Sequence, residues 1–390
     1  MFYLLTVLLA GISFSIYPLF KMDMWHAQGF WVQLMLLVCF SWTFFEKPRY
    51  KIIPNKPLGL INLYIGLHVC WFVYMAGTMQ KYDTMHFFPY FNLLCLLFLY
   101  RFVQQYLDRE QIVQILNILR LVIILTLLYT TLQIFRMTQF IKMLYEGDKF
   151  ANNSAVGFLG NGTHLSGFLG SCVPLFLWKF EREDKLALVL MVLILVFTGT
   201  ASNDPSISGY VVGFIIWCYF WKKDFYKIVP TLLLVPMFGY LAYKFFPPVF
   251  WNTSGRLNIW APWWKVFMLN PITGIGLGGI NMTYRAMEIR ARHLHLEYFH
   301  YLVELGIPIL ILLLNLIKKF FNIRAEDRLE LTLKALIIGF LVSCCFNYPS
   351  HLWLPSTWAM FFYASFYALK KRSIEDVLSP GNSLRNCSSN

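Results

Sequence analysis

The chain has 390 residues, of which 58% are hydrophobic and only 14% are charged, so it is not an ordinary water-soluble globule, which is about a quarter charged. Its formal net charge of +13 would suit nucleic acid, but about 20 of the 33 lysines and arginines fall in short loops on one predicted side of a membrane. Membrane orientation explains the charge, and no nucleic-acid partner is expected.

Twelve apolar runs of roughly 18 to 22 residues follow one another along the chain, and runs of this length cross a hydrocarbon core as helices. The predicted spans are 2–20, 26–45, 58–77, 87–104, 113–135, 157–178, 186–203, 206–221, 228–246, 299–317, 329–349 and 352–369. The first run lacks a basic leader and a small-residue cleavage site, which predicts a retained span. The sequence thus predicts an all-α polytopic bundle of about 12 spans, with residues 1–372 as a single transmembrane domain.

The charge of the connecting loops predicts the orientation of the spans. Basic residues gather on one side: Lys47, Arg49, Lys51, Lys56, Lys179, Arg182, Lys185, Lys222, Lys223, Lys227, Lys318, Lys319, Arg324, Arg328, Lys370, Lys371 and Arg372. These loops and both termini are predicted to be cytoplasmic, with residues 373–390 as a disordered tail. The two long connections on the opposite side are 136–156 and 247–298, and long loops carry function more often than short ones.

The loop 247–298 combines basic residues with few acids. Its five basic residues are Arg256, Lys265, Arg285, Arg290 and Arg292. A positive pocket beside a membrane fits a lipid headgroup or a diphosphate, because the arginine fork pairs with two phosphate oxygens at once. The alternative is that these residues anchor a surface helix at the headgroups.

The loop 247–298 also contains histidines, which can titrate near neutral pH. If residues 281–298 are helical, the spacing places Arg285, Glu288, Arg292 and His295 on one face. A histidine, with an ordinary pKa of about 6.5, can accept a proton from an attacking hydroxyl at neutral pH. The alternative for each of His293, His295 and His300 is a solvated histidine at the membrane interface.

Glycines dominate the segment 271–279, which reads PITGIGLGG. It lacks the lysine and the serine or threonine of a nucleotide-binding P-loop, so its glycines predict tight turning and close helix contact instead. Seven of the eight cysteines lie in apolar runs, and no metal-ligand spacing is visible. The sequence therefore predicts neither a metal site nor a cofactor.

Several short motifs follow one another in and after this loop. They are Ser254-Gly255-Arg256 with Trp260, Asn270-Pro271, Gly274 to Gly278, and His295 nine residues before Glu304-Leu305-Gly306. This order resembles the signature region of the O-antigen ligase and O-antigen polymerase superfamily of polytopic membrane glycosyltransferases. The segment 160–165, GNGTHL, is similar to the asparagine-rich motif of that family. The specific match covers about 60 residues, and the topology, with one long periplasmic loop containing short helices, covers the whole chain.

The resemblance implies glycosyl transfer at the periplasmic face of the bacterial inner membrane. A glycan would leave undecaprenyl diphosphate and join a hydroxyl of lipid A-core or of another acceptor. The family's catalytic histidine corresponds to His295 and its loop arginine to Arg256. Among the other basic residues of the loop, Arg292 is predicted to be a second diphosphate ligand, with Arg285 and Lys265 as weaker candidates. A diphosphate leaves readily as an anion, so positive charge and one base suffice for a metal-independent inverting displacement.

The chain departs from the family pattern at two places. Leu296 follows the histidine where the family usually has asparagine, and the segment 198–206 lacks the family's second arginine, so either another basic residue serves or the activity is altered. Ligase activity is slightly favoured over that of a polymerase or a protein O-oligosaccharyltransferase. The rival from another class is a lipid or polysaccharide transporter or flippase, which requires ionisable residues deep in its spans. The clearest such residues are His68, Arg120, His164 and Lys334, which form no evident relay.

Overall fold

The computed structural model describes residues 2–13, 24–52, 55–79, 88–134, 162–178, 256–280, 296–345 and 353–378, with Val189, Leu193, Thr283 and Leu294. These residues form helices, turns and short loops, and no strand occurs among them. The helices are α1 (Phe2–Ser13), α2 (Met24–Phe45), α3 (Lys56–Met79), α4 (Phe88–Tyr106), α5 (Arg109–Ile134), α6 (Gly162–Ser171), α7 (Val173–Leu177), α8 (Arg256–Leu269), α9 (Glu297–Asn322), α10 (Arg328–Ser343) and α11 (Trp353–Leu378).

Three of these helices are long and apolar enough to cross a membrane. The stretches concerned are Gln28–Phe45 in α2, Arg109–Leu132 in α5 and Glu297–Asn322, which is the whole of α9. The all-α class is therefore confirmed for the described residues, and the three candidate spans agree with a membrane location. The number of 12 spans stays a prediction, because the runs at 186–203, 206–221 and 228–246 fall almost entirely outside the described ranges.

The core of the described bundle is built around α11, which packs against α2, α4 and α10. On α11, Phe366 is fully buried, and its ring centroid lies 5.4 Å from that of Phe320 on α9. On the other side of the core, the rings of Trp42 and Phe102 join α2 to α4 at 5.2 Å. Between helices in lipid, such packing stabilises through van der Waals contact rather than through the exclusion of water.

Two helices differ in extent from the predicted spans. α11 continues to Leu378, so the first residues of the predicted tail extend the helix, and the segment 373–378 contains neither glycine nor proline to end it. The described part of the predicted span 157–178 is interrupted at Cys172, where α6 ends and α7 begins. Pro174 explains this break, because it has no N–H with which to continue the helical ladder.

One end of the bundle gathers several of the basic loops. Polar contacts join them: Arg49 with Asp108 (3.5 Å), Arg109 with Asp327 (2.7 Å), Lys370 with Glu326, and Arg372 with the carbonyl oxygen of Leu107. Exposed ion pairs contribute only about 0 to 1 kcal/mol each to stability. The contacts are informative here because they show which loops lie next to one another. They bring together three of the loops that the charge pattern assigns to one side of the membrane. Which side that is stays a prediction.

Candidate functional site

The structure describes part of the predicted site. α8 begins at Arg256 and carries Lys265, whose side chain is exposed. The side chain of Arg256 lies outside the described residues, and so do Arg285, Arg292 and His295. The described part of the site consists of the helices and the turn that precede and follow these residues.

α8 is held to the chain next to His295 by its buried face. Trp263 is fully buried and packs in one apolar cluster with Leu294 and with Val303 of α9. The indole Nε1 of Trp260 donates a hydrogen bond to the carbonyl oxygen of Leu294 at 2.6 Å. The motif residue Trp260 is thus in direct contact with Leu294, which lies 34 positions later in the sequence and directly precedes His295.

The segment after α8 turns sharply at its glycines. Gly274, Gly276 and Gly278 have φ of 64°, 91° and 78°, in the left-handed region that side-chain-bearing residues rarely adopt. Within the segment, the N–H of Gly274 donates to the carbonyl oxygen of Asn270 at 2.8 Å. We call residues 270–280 the glycine turn.

α9 is broken where the glycine turn meets it. Gly306 has φ 73° and ψ −173°, and Pro308 has no N–H to donate to the carbonyl oxygen of Glu304 one turn earlier. The turn replaces the missing helical bonds: Ile275 N–H to Val303 O (3.1 Å), Gly276 N–H to Glu304 O (2.8 Å) and Ile307 N–H to Pro271 O (2.8 Å). From α3, the hydroxyl of Tyr64 donates to the carbonyl oxygen of Leu305 at 2.6 Å. The break in α9 is therefore a docking place whose polar backbone groups are paired.

The two backbones approach so closely that only glycine fits. A Cβ atom on Gly274 would lie 2.3 Å from the carbonyl oxygen of Glu304, and one on Gly306 would lie 2.1 Å from that of Ile272. For Gly274, the interpretation that the glycines of 271–279 serve tight turning and close contact with a helix is thus confirmed, whereas a Cβ atom on Gly276 would meet open space.

Three ionisable residues on one face of α9 are buried, and the last of them contacts the glycine turn. Glu297, His300 and Glu304 are each 2% exposed or less. The Nε2 atom of His300 lies 3.3 Å from Oε1 of Glu304, and the same oxygen accepts a hydrogen bond from the N–H of Ile280 at 3.3 Å. The alternative that His300 is a solvated interfacial histidine is wrong, since it packs inside the protein beside a carboxyl group. The spacing of three and then four residues places all three on one helix face and is the sequence signal for this cluster.

The four ionisable residues considered for a transporter lie in different surroundings. His68 packs edge to face on Tyr64 (4.7 Å), Arg120 lies over the ring of Phe176 (5.6 Å), His164 lines a cavity of about 10 Å³, and Lys334 donates to the carbonyl oxygens of Phe321 (2.9 Å) and Ile323 (2.6 Å). A cavity of that size holds about one water molecule. Lys334 satisfies carbonyl groups at the C-terminal end of α9, which is a structural role. Within the described ranges, no three His, Cys, Asp or Glu side chains come close enough to hold a metal ion.

The sequence matches no protein-family model and no curated protein. The family resemblance therefore depends on the motif residues and on their arrangement. Of these, Trp260, the glycine turn and residues 304–306 are described, and the structure brings them into one unit.

Proposed function

We propose that this protein is a membrane glycosyltransferase that transfers a glycan from a polyprenyl diphosphate carrier to an acceptor hydroxyl. The observation that supports this best is the assembly of the motif segments. The glycine turn fills the break in α9 at residues 304–306, and Trp260 binds the carbonyl group of Leu294 next to the proposed base. Motif segments that lie far apart in sequence thus pack together, as expected if they position a common site.

The proposed reaction is a single displacement. The acceptor oxygen forms a bond to the anomeric carbon as the bond to the diphosphate oxygen breaks, and the hydroxyl proton passes to His295. Arg256 and Arg292, helped by Arg285 and Lys265, stabilise the departing diphosphate anion. Attack from the face opposite the leaving group inverts the anomeric centre, and no metal ion is needed.

The proposed location is the bacterial inner membrane, with both termini in the cytoplasm and the loop 247–298 in the periplasm. The basic loops that meet at one end of the bundle support this topology, because cytoplasmic loops carry the excess of lysine and arginine. The donor is then undecaprenyl-diphosphate-linked glycan in the outer leaflet. A ligase acting on lipid A-core is favoured slightly over a polymerase or a protein O-oligosaccharyltransferase.

An assay of lipid-linked glycan turnover tests this function. The full chain, reconstituted in liposomes with undecaprenyl-diphosphate-linked glycan, is given lipid A-core, a second donor glycan or a glycosylatable protein. We expect loss of the lipid-linked glycan and a matching gain of glycan on one acceptor. Turnover with none of the three acceptors would contradict the proposal, and the acceptor that gains glycan separates ligase from polymerase and protein transferase.

We expect a cysteine placed at Thr253 to react from outside the cell. Residue 253 lies in the loop 247–298, which the lysine-rich segments 222–227 and 318–328 predict to be periplasmic. The measurement compares labelling by a membrane-impermeant maleimide in intact and permeabilised cells, with the unsubstituted chain as the background. Labelling only after permeabilisation would overturn the topology and, with it, the proposed reaction.

We expect Arg256→Ala to impair turnover of the lipid diphosphate more than Arg256→Lys does. Both changes remove the two-pronged pairing with phosphate, but only alanine removes the charge. A charge-assisted hydrogen bond contributes about 1.5 to 3 kcal/mol, which corresponds to a loss of about 10- to 100-fold for the alanine variant. Lys81→Ala is the control and should leave turnover nearly unchanged. Normal turnover in both Arg256 variants would make this residue a headgroup anchor rather than a substrate ligand.

A further inference from the structure

The outer face of α8 and the start of the glycine turn expose large apolar side chains. Trp264, Met268, Leu269 and Ile272 are 51% to 76% exposed, whereas Trp263 and Phe267 on the opposite face of α8 are buried. Exposed apolar side chains that adjoin one another mark a surface that contacts something other than water.

This apolar surface continues into a candidate membrane span. The N–H of Ile307 donates a hydrogen bond to the carbonyl oxygen of Pro271. Ile272 therefore lies beside the start of the part of α9 that follows the break at Gly306. Below that point, Ile307, Ile311 and Leu314 are exposed at spacings of four and three residues and form one row along α9. Because α9 is long and apolar enough to cross a membrane, this row suits lipid, and the exposed side chains of α8 and the turn extend it.

The length of α9 gives the depth of the turn. From Ile307 to Asn322 the helix has 16 residues, which rise about 24 Å at about 1.5 Å per residue. The basic end of the bundle begins at Lys318, so Asn322 is a generous limit for the lower edge of the apolar layer. A hydrocarbon core is about 30 Å thick, and the turn docked at Ile307 therefore lies about 6 Å or more below its far edge. Any tilt of α9 makes the turn deeper.

The hydrogen bonds of the glycine turn are compatible with a position inside the hydrocarbon core. Non-helical backbone is tolerated within a membrane only where the protein satisfies its polar groups. The N–H groups of Gly274, Ile275 and Gly276 all donate to carbonyl oxygens of the chain, and the carbonyl oxygen of Pro271 accepts from Ile307.

We propose that the C-terminal half of α8 and the start of the glycine turn, residues 264–272, are embedded in the lipid leaflet opposite the basic end. The partner of this surface is the acyl chains of phospholipids, which contact Trp264, Met268, Leu269 and Ile272. The exposed ammonium group of Lys265 reaches the phosphate groups above them, as long basic side chains do at membrane interfaces. Part of the loop 247–298 is thus within the bilayer rather than in the aqueous space. This inference holds whatever reaction the protein catalyses.

Photo-crosslinking of the full chain tests this inference. We would place p-benzoylphenylalanine at position 268 or 272, at 311 as a matched position on α9, and at 326 as an exposed position at the basic end. Each variant is reconstituted in nanodiscs of phosphatidylethanolamine and phosphatidylglycerol, irradiated, and analysed for adducts by mass spectrometry. A thermal unfolding curve for each variant verifies that it is folded.

We expect phospholipid adducts at 268 and 272 in yields comparable to that at 311, with little adduct at 326. Adducts at 311 without adducts at 268 and 272 would overturn the inference and place the segment in water. Crosslinks from 268 or 272 to a second protein molecule would also overturn it, because the surface would then be a protein interface.

Discussion

Replacing Gly306 by alanine should separate the glycine turn from α9 and markedly lower the thermal stability of the protein. The combination of φ 73° and ψ −173° is open essentially to glycine alone, and strain of this kind costs about 1 to 3 kcal/mol. The added Cβ atom would also lie 2.1 Å from the carbonyl oxygen of Ile272, so the turn has to move away. The hydrogen bonds between the turn and residues 303–307 would then break. The measurement is the unfolding temperature of the purified variant in detergent.

Two other glycines serve as matched controls for this variant. Gly276→Ala changes a residue with φ 91° that has open space around it, so it tests backbone strain without a steric clash. Gly66→Ala, in the middle of α3 and also in open space, should be neutral or should stabilise the helix by about 0.5 to 1 kcal/mol. We expect the unfolding temperature to fall most for Gly306→Ala and least for Gly66→Ala. Equal unfolding temperatures for these two would contradict the close contact between the turn and α9.

Replacing His295 by alanine should lower glycan transfer by about 10²- to 10⁴-fold, the usual contribution of a general base. Expression, membrane insertion and the unfolding temperature should stay unchanged, because the role proposed for His295 is chemical rather than structural. The measurement is turnover of the lipid-linked glycan, with the pH dependence of the residual rate as a second readout. An active His295→Ala protein would leave the catalytic assignment without support.

Variants of the neighbouring histidines distinguish a catalytic role of His295 from a structural one. His293→Ala should leave turnover and stability nearly unchanged. His300→Ala should lower the unfolding temperature, because it removes the partner of the buried Glu304 carboxyl group, while its effect on turnover should be much smaller than that of His295→Ala. Equal losses of turnover in all three variants would indicate a structural cluster.

The length of the apolar runs makes most of the long helices in the described part of the chain predictable. The run at 299–317 falls within α9, which extends it by two residues at one end and five at the other. The position of the break inside that helix is predictable, but the residues that fill it are not. Gly306 and Pro308 indicate a kink, but the groups that fill it belong to Pro271, Ile275 and Gly276, about 30 positions earlier. Periodicity is a local signal and contains no information about such a partner.

The same limit applies to the candidate site. The composition of the segment 271–279 predicts a tight turn against a helix, and the structure shows that turn. For His300 the expectation of a solvated side chain is wrong. The spacing of four residues places His300 and Glu304 on one helix face, but it does not show whether that face is buried. Burial of this kind is decided by the elements that pack around a helix, which a single sequence does not display.

The packing of α11 against α2 and α4 has a consequence for how the protein is made. The side-chain amide of Asn55 donates to the hydroxyl of Tyr363 at 2.8 Å, across 308 positions of sequence. At about 5 to 20 residues per second, the ribosome needs about 15 to 60 s to synthesise the intervening chain. During most of that interval α2 and α4 have already been synthesised, whereas α11, against which they pack, has not yet been translated. The helices made earlier must therefore persist as an incomplete bundle, a state open to misassembly and to proteolysis, until α11 has been synthesised.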